Sequence, residues 1–182
     1  MAEFPYFSTS AINTYCDAVQ QIYDDSCAIK SQQLILNSMG IDVPEDQLRI
    51  EAYQNGWYNP GKGTPMENVG DLIEAHGIQV ERKTGGTIDD LRTETTQGHN
   101  VIVGLDSGEL WNNGIDETFE DIIRGPEADH ALLVSGFAVN PLTGNESILL
   151  TDPGTGELFA DYPIEQFEDA WNDSGDFMVS VI

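Results

Sequence analysis

Residues 130–152, HALLVSGFAVNPLTGNESILLTD, place two apolar, β-rich runs on either side of the turn residues NPLTGN. The runs read as strands and the Pro, Gly and Asn between them as a turn, so an antiparallel hairpin is expected. A hairpin returns the chain to the edge it left, which brings Asp152 back toward His130. A polar residue at the mouth of so apolar a strand is otherwise unexplained.

Downstream, ELFADYP reads as a further strand, PIEQFEDAWND as a helix begun by Pro163, and FMVSVI as a final strand. Upstream, NVIVGL is a short β-branched run, TIDDLRTETTQG a helix capped by Thr87, and IQVERK an alternating strand. TPMENVGDLIEAHG has Thr64 as cap, Pro65 in the first helical position and Glu67 three after the cap, a capping box that predicts a helix start. VPEDQLRIEAYQNG carries Pro44 and acids at its start and Gly56 beyond its end, a second helix signature. In CAIKSQQLILNSM the apolar residues recur at spacings of three and four before Gly40, so Cys27 is expected in the first turn of a helix. Helices fill the first half and hairpin-connected strands the second. The expected class is α+β, an antiparallel sheet with helices packed on one side, in a single domain over residues 1–182.

Composition limits the partners. With 32 acidic residues against 7 Lys plus Arg, the formal net charge is −25. Such a surface repels phosphate backbones and anionic lipids, so no nucleic acid is expected, and a protein or peptide substrate should be basic or neutral. Its turnover should then depend on salt, and the composition suits a salt-rich medium. The start MAEFPYFSTS lacks the form of a signal peptide, and no stretch approaches the ~18 apolar residues of a membrane span. The chain as given therefore reads as soluble, cytoplasmic or exported by a non-classical route. Two cysteines, Cys16 and Cys27, are too few for a disulfide-built scaffold.

A thiol attacks a carbonyl carbon as thiolate, which near neutral pH needs a helix N-terminus and a neighbouring histidine. Cys27 has the first, and His130 is the best candidate for the second. His76 precedes Gly77 at a helix end, where a cation is favourable anyway, and His99 reads as a strand-edge residue. The imidazole needs an oxygen acceptor for its other nitrogen, and Asp152 is placed to be one. An oxyanion needs donors: the Cys27 backbone N–H is one, and Gln21, six residues upstream, offers a side-chain amide, with Gln20 as the alternative.

Gln21, Cys27 at a helix start, His130 opening a strand and Asp152 in TDPGTG together resemble a papain-like cysteine peptidase. The branch is that of the bacterial double-glycine leader (bacteriocin-processing) peptidases, in a free-standing form. DSCAIKSQQLILNSMG is similar to that branch's nucleophile helix, GWYNPGKGTPMENVGDLIEAHGI to its following helices, and DHALLVSGF with ILLTDPGTG to its base and acid strands. PIEQFEDAW and DFMVSV resemble its closing helix and strand. The resemblance implies thiol-dependent cleavage of peptide or isopeptide bonds, with Cys27 as nucleophile, His130 as base, Asp152 as its orienter and Gln21 in the oxyanion hole. It implies no cofactor and no metal. The branch commonly has Cys-Gly-Pro or Cys-Gly-Ala where this chain has Cys27-Ala28-Ile29, and its transporter-fused members carry membrane segments not found here.

Other readings stay open at this level. Cys27 could be a small buried hydrophobe or could bridge to Cys16, which itself lies on an apolar stripe with Ile12, Val19 and Tyr23. Asp152 with Pro153 and Gly154 could be only a turn former. Trp57, Tyr58, Trp111 and Trp171 could line a groove or close the core. The acidic segment containing Asp106, Glu109, Asp116, Glu117, Glu120 and Asp121 could bind calcium, but it reads more simply as solvated surface, with weak helical character at 117–123. The same Cys-His-Asp apparatus also serves deamidation and acyl transfer, and the fold could act as a non-catalytic binding module.

Overall fold

The computed structural model describes residues 18–111 and 129–182. Cys16, and the part of the acidic segment from 112 to 128, therefore lie outside the described residues, as does the helical character expected at 117–123.

Six strands form one antiparallel sheet in the order β1-β6-β2-β3-β4-β5. They are β1 (Val80–Lys83), β2 (Asn100–Leu105), β3 (His130–Val139), β4 (Glu146–Thr151), β5 (Ala160–Pro163) and β6 (Met178–Val181). The helices are α1 (Cys27–Ser38), α2 (Glu45–Asn55), α3 (Asp71–Ala75), α4 (Ile88–Gln97), α5 (Ser107–Trp111) and α6 (Ile164–Asn172). The α+β class, and a helix opening on Cys27 packed on a mostly antiparallel sheet, are as the sequence predicts.

The helices, however, cover both faces of the sheet rather than one. In β2, Val101, Val103 and Leu105 point to a cluster built with Leu91 of α4 and Phe167, Ala170 and Trp171 of α6. Ile102, between them, points the other way, to a cluster with Ala28 and Ile35 of α1 and Ile73 of α3. Successive side chains of a strand face opposite sides, so a continuous run of β-branched residues signals burial on both faces. NVIVGL is accordingly a central strand.

Trp171 anchors the α6 side. It is 1 % exposed, its ring lies 5.3 Å from that of Phe167, and its indole N–H donates to the Phe177 carbonyl at 2.8 Å. Trp171→Ala empties a large core site and removes the stronger of two donors to that carbonyl, which keeps only the Gly104 N–H at 3.4 Å, so unfolding in denaturant should show a loss of about 3–5 kcal/mol. A loss below about 1 kcal/mol would mean that α6 is not held to the sheet by this residue.

The Thr64 capping box does not form. Met66–Asn68 is a single 3-10 turn, and Gly70, at φ 103°, breaks the chain before α3. The start of α3 is served from another helix: Gln32 of α1 accepts from the backbone N–H groups of Gly70 and Leu72. Tertiary capping has replaced the local cap, as helix-end donors accept any well-placed oxygen. The capping box that does close is that of Thr87 with Asp90, at the start of α4.

Helix α1 is the middle layer. Ala28 and Ile35 face the sheet, while Ile29 and Leu36 face α2 and α3. Its polar residues Lys30, Ser31, Gln32 and Gln33 are buried too, and three of them bond to neighbouring segments. Ser31 Oγ donates to the Ala131 carbonyl at 3.1 Å, and Gln33 Nε2 to the Val43 carbonyl at 2.7 Å. The Ser31 bond fixes α1 against β3 one residue from His130.

Candidate active site

The β3–β4 hairpin forms with NPLTGN as its turn, and it contains one irregularity. Register runs from Val139 opposite Glu146 to Gly136 opposite Leu149, then resumes with Val134 opposite Leu150. Ser135 is thus the extra residue of a β-bulge, its Oγ 2.7 Å from Thr151 Oγ1. Because side chains alternate along a strand, one inserted residue changes the face on which the partner falls. With the bulge, Asp152 follows opposite Leu132, on the same face as His130; without it, Asp152 would fall on the other face.

His130 Nε2 and Asp152 Oδ1 are 2.7 Å apart, and both residues are buried. The same carboxylate oxygen accepts from the backbone N–H of Gly154 at 2.7 Å and of Thr155 at 3.4 Å. Burial opposes the Asp152 charge, but the hydrogen bond and charge of His130 and these amides hold its carboxyl below the usual carboxylate range. Burial also opposes the imidazolium, yet the hydrogen bond to Asp152 and the neighbouring Cys27 sulfur push His130 up to about 10. With Nε2 taken by Asp152, Nδ1 is the nitrogen left for Cys27.

Cys27 is the first residue of α1 and carries a free, half-buried thiol. Cys27 and His130 line one cleft of about 360 Å³ together with Ala28, Gly63, Thr64 and Gly104. No side chain caps the start of α1, so the leading N–H groups of the helix have no side-chain acceptor. Gln21 is tied to the loop that follows Asp152 through its backbone N–H, which donates to the Pro153 carbonyl at 2.7 Å. Its side-chain amide donates to the Tyr23 carbonyl at 2.8 Å, which uses one of its two N–H bonds. Gln21 is not among the residues lining the cleft; Gln20, the alternative, is exposed and reaches only the Gly154 carbonyl at 3.4 Å.

Two neighbours of the pair were not tied to it by the sequence. Trp111 packs against the His130 ring edge-to-face, with centroids 5.3 Å apart, and shields one side of the pair from water. Gly154 approaches the imidazole so closely that a Cβ there would lie 2.9 Å from His130 Cε1. Of the other aromatics, Tyr58 and Trp171 are in the core. His76 pairs with Glu51 and His99 with Glu94, each away from the cleft. Among the described residues no cluster of His, Cys, Asp or Glu is arranged to hold a metal ion.

A helix opening on a cysteine, laid across an antiparallel sheet whose hairpin holds a His–Asp pair, defines the papain-like α+β fold. The chain belongs to the Peptidase_C39 like family, which residues 3–178 match. It is 29 % identical over 186 residues to the uncharacterized proteins Mb1299c of Mycobacterium bovis and Rv1268c of Mycobacterium tuberculosis, covering 87 % of this chain and 77 % of each relative. A putative C39-like peptidase from Bacillus anthracis superposes with a TM-score of 0.64 at 18 % identity, over 90 % of this chain and 92 % of that one. The peptidase domain of Streptococcus ComA, a bifunctional ABC transporter, does so with a TM-score of 0.60 at 13 % identity, over 90 % and 93 %. A double glycine motif protease from an AMS/PCAT transporter, solved with a leader peptide, gives 0.56 at 14 % identity, over 89 % and 88 %. At these identities the likeness of the solved structures is one of fold. The family and fold support a function of the cysteine peptidase type.

Proposed function

We propose that this protein hydrolyses peptide or isopeptide bonds with Cys27 as nucleophile. The observation that carries the reading is the buried His130–Asp152 hydrogen bond in a cleft shared with Cys27. His130 keeps its proton to about pH 10, so once the sulfur ionises the pair is thiolate with imidazolium. The thiolate attacks the scissile carbonyl carbon, and the carbonyl π electrons move onto oxygen. The Cys27 backbone N–H and the second N–H of the Gln21 amide are the proposed donors to that oxyanion. Collapse of the intermediate breaks the C–N bond as His130 Nδ1 gives its proton to the leaving amine. Water, deprotonated by the now neutral His130, then cleaves the thioester, releases the carboxylic acid and restores the pair.

The acidic surroundings of the cleft favour a basic or neutral peptide. Asp24, Asp25 and Asp129 line it, and apart from His130 the basic residue lining it is Lys62. Asp25 is engaged by Tyr58, Gly61 and Arg49, and Asp129 by Ser107, whereas Asp24 is exposed. No helix among the described residues is long and apolar enough to cross a membrane.

The test is chemical and needs no known substrate. Iodoacetamide near neutral pH should label Cys27 in preference to Cys16, with the adduct located by mass, and His130→Ala should abolish the preference. A library of basic peptides should be cleaved by the wild-type chain and left intact by Cys27→Ala. Equal labelling of both thiols together with an intact library overturns the reading and leaves a binding module.

A further inference from the structure

Glu45 opens α2, outside the cleft, yet the residue is 2 % exposed and its carboxylate is met by donors from three directions. The Ile22 backbone N–H approaches both its oxygens, at 3.1 and 3.2 Å. Ser26 Oγ lies 2.6 Å from Oε1, and buried Lys30 Nζ is 3.7 Å from Oε2. These donors bracket the segment between Gln21 and Cys27. A serine just before a helix ordinarily turns its oxygen onto the helix's own N–H groups. Here the Ser26 hydroxyl is drawn instead to Glu45 and to the Tyr23 carbonyl, 2.9 Å away, and no side chain caps α1. The Tyr23 carbonyl is also the acceptor that anchors the Gln21 amide. A chain of contacts thus runs from Glu45 through Ser26 and Tyr23 to Gln21.

We propose that Glu45 is a positioning residue for the oxyanion hole: from α2 it fixes both ends of the 22–26 segment, through the Ile22 N–H at one and the Ser26 hydroxyl at the other. The inference rests on the proposed peptidase reading. It also accounts for a costly feature, since a buried carboxylate and a buried ammonium stabilise a fold less well than apolar residues of their size. Lys30 supplies the compensating charge and donates to Gln33 at 2.9 Å. Burial pulls its pKa down, while Glu45 acts to raise it.

Two reactions of Cys27 separate positioning from mere support of the fold. Alkylation by iodoacetamide develops no oxyanion, whereas amide hydrolysis does. Lys30→Met with Glu45→Met removes the ion pair as a unit and leaves no charge unpaired. In that variant kcat on the best-cleaved library peptide should fall about 10- to 100-fold, with KM and the alkylation rate within about threefold of wild type. Lys30→Met with Glu45→Gln restores an oxygen for Ile22 and Ser26 and should recover most of the loss. Ser26→Ala, which leaves the ion pair intact, should lower kcat about threefold to tenfold at an unchanged alkylation rate. The proposal is overturned if the two double variants turn over alike, if alkylation falls in step with hydrolysis, or if Ser26→Ala keeps wild-type kcat. A wild-type chain that neither labels selectively nor cleaves overturns the peptidase reading first, and this inference with it.

Discussion

Asp152→Asn is expected to lower kcat/KM by roughly 10²–10⁴ and to move the alkaline limit of activity to lower pH. Asparagine keeps the size of the side chain but gives up its charge, and its amide can turn an N–H toward the ring. The imidazole then shifts toward the tautomer with its proton on Nδ1 and loses the counter-charge that holds it protonated. In the wild type, burial pulls the His130 imidazolium down and the contacts with Asp152 and Cys27 more than offset it, giving a value of about 10. Without the carboxylate the burial is less opposed, so the alkaline limb, near pH 10 in the wild type, moves toward neutrality. A pH–rate profile of peptide hydrolysis, with Cys27 alkylation followed in parallel, measures it. An alkaline limb that stays in place would show that His130 is held protonated by something other than Asp152.

The same pair makes stability depend on pH, with a defined sign. The folded pKa of His130 is raised above its ordinary 6.5, so its contribution is complete below 6.5 and is lost as pH rises toward about 10. The folded pKa of Asp152 is lowered from 3.8, so its contribution is complete above that value and is lost as pH falls through the folded one. The two overlap between 3.8 and 6.5. The Tm difference between wild type and Asp152→Asn should therefore be widest in that window.

The elements were legible where local chemistry and tertiary demand agree. Thr87 caps α4 because its partner Asp90 is only three residues away, and the hairpin closes because its turn residues lie between two runs that cannot remain exposed. The Thr64 box has the same local grammar but fails, because Gln32 brings an oxygen to Gly70 and Leu72 from elsewhere in the chain. Helices on both faces were implied by the unbroken run in β2, whose residues alternate between two clusters, although the order of elements alone suggested a one-sided layer.

Within the candidate site, the return of Asp152 toward His130 followed from the hairpin, but its face did not. The bulge at Ser135 decides that, and no residue type announces it beyond a serine followed by glycine in the strand. The placements of Trp111 and Glu45 were invisible for a related reason. Their importance lies in contacts with His130 and Ser26, across 19 residues in each case, and such contacts have no local signature.

Gly154→Ala is the second large expected effect, and it separates the two readings of the sequence DPG. A glycine after Asp-Pro suggests a turn that needs a left-handed residue. Gly154 is not in that region, whereas Gly156 two residues later has φ 77°. What position 154 needs is room: a Cβ would lie 2.9 Å from His130 Cε1, 3.1 Å from Nε2 and 3.2 Å from Asp152 Oδ1. Either the imidazole moves or the loop does. The ring is bonded to Asp152 and packed by Trp111, and the loop is closed by Asp152 N–H donating to Glu157 and Gly156 N–H to Asp152. A loop that recoils takes Pro153 with it, and the Pro153 carbonyl holds the Gln21 backbone N–H. Relief of the clash is thus transmitted either to the proposed base or to the proposed oxyanion donor. A displacement on the order of 1 Å at such a site costs about 10²-fold in kcat, while unfolding free energy should change by only about 1–2 kcal/mol for one methyl group at a half-buried loop. Alanine can adopt a backbone outside the left-handed region, so a variant that folds and keeps wild-type turnover would return Gly154 to the role of a simple turn residue.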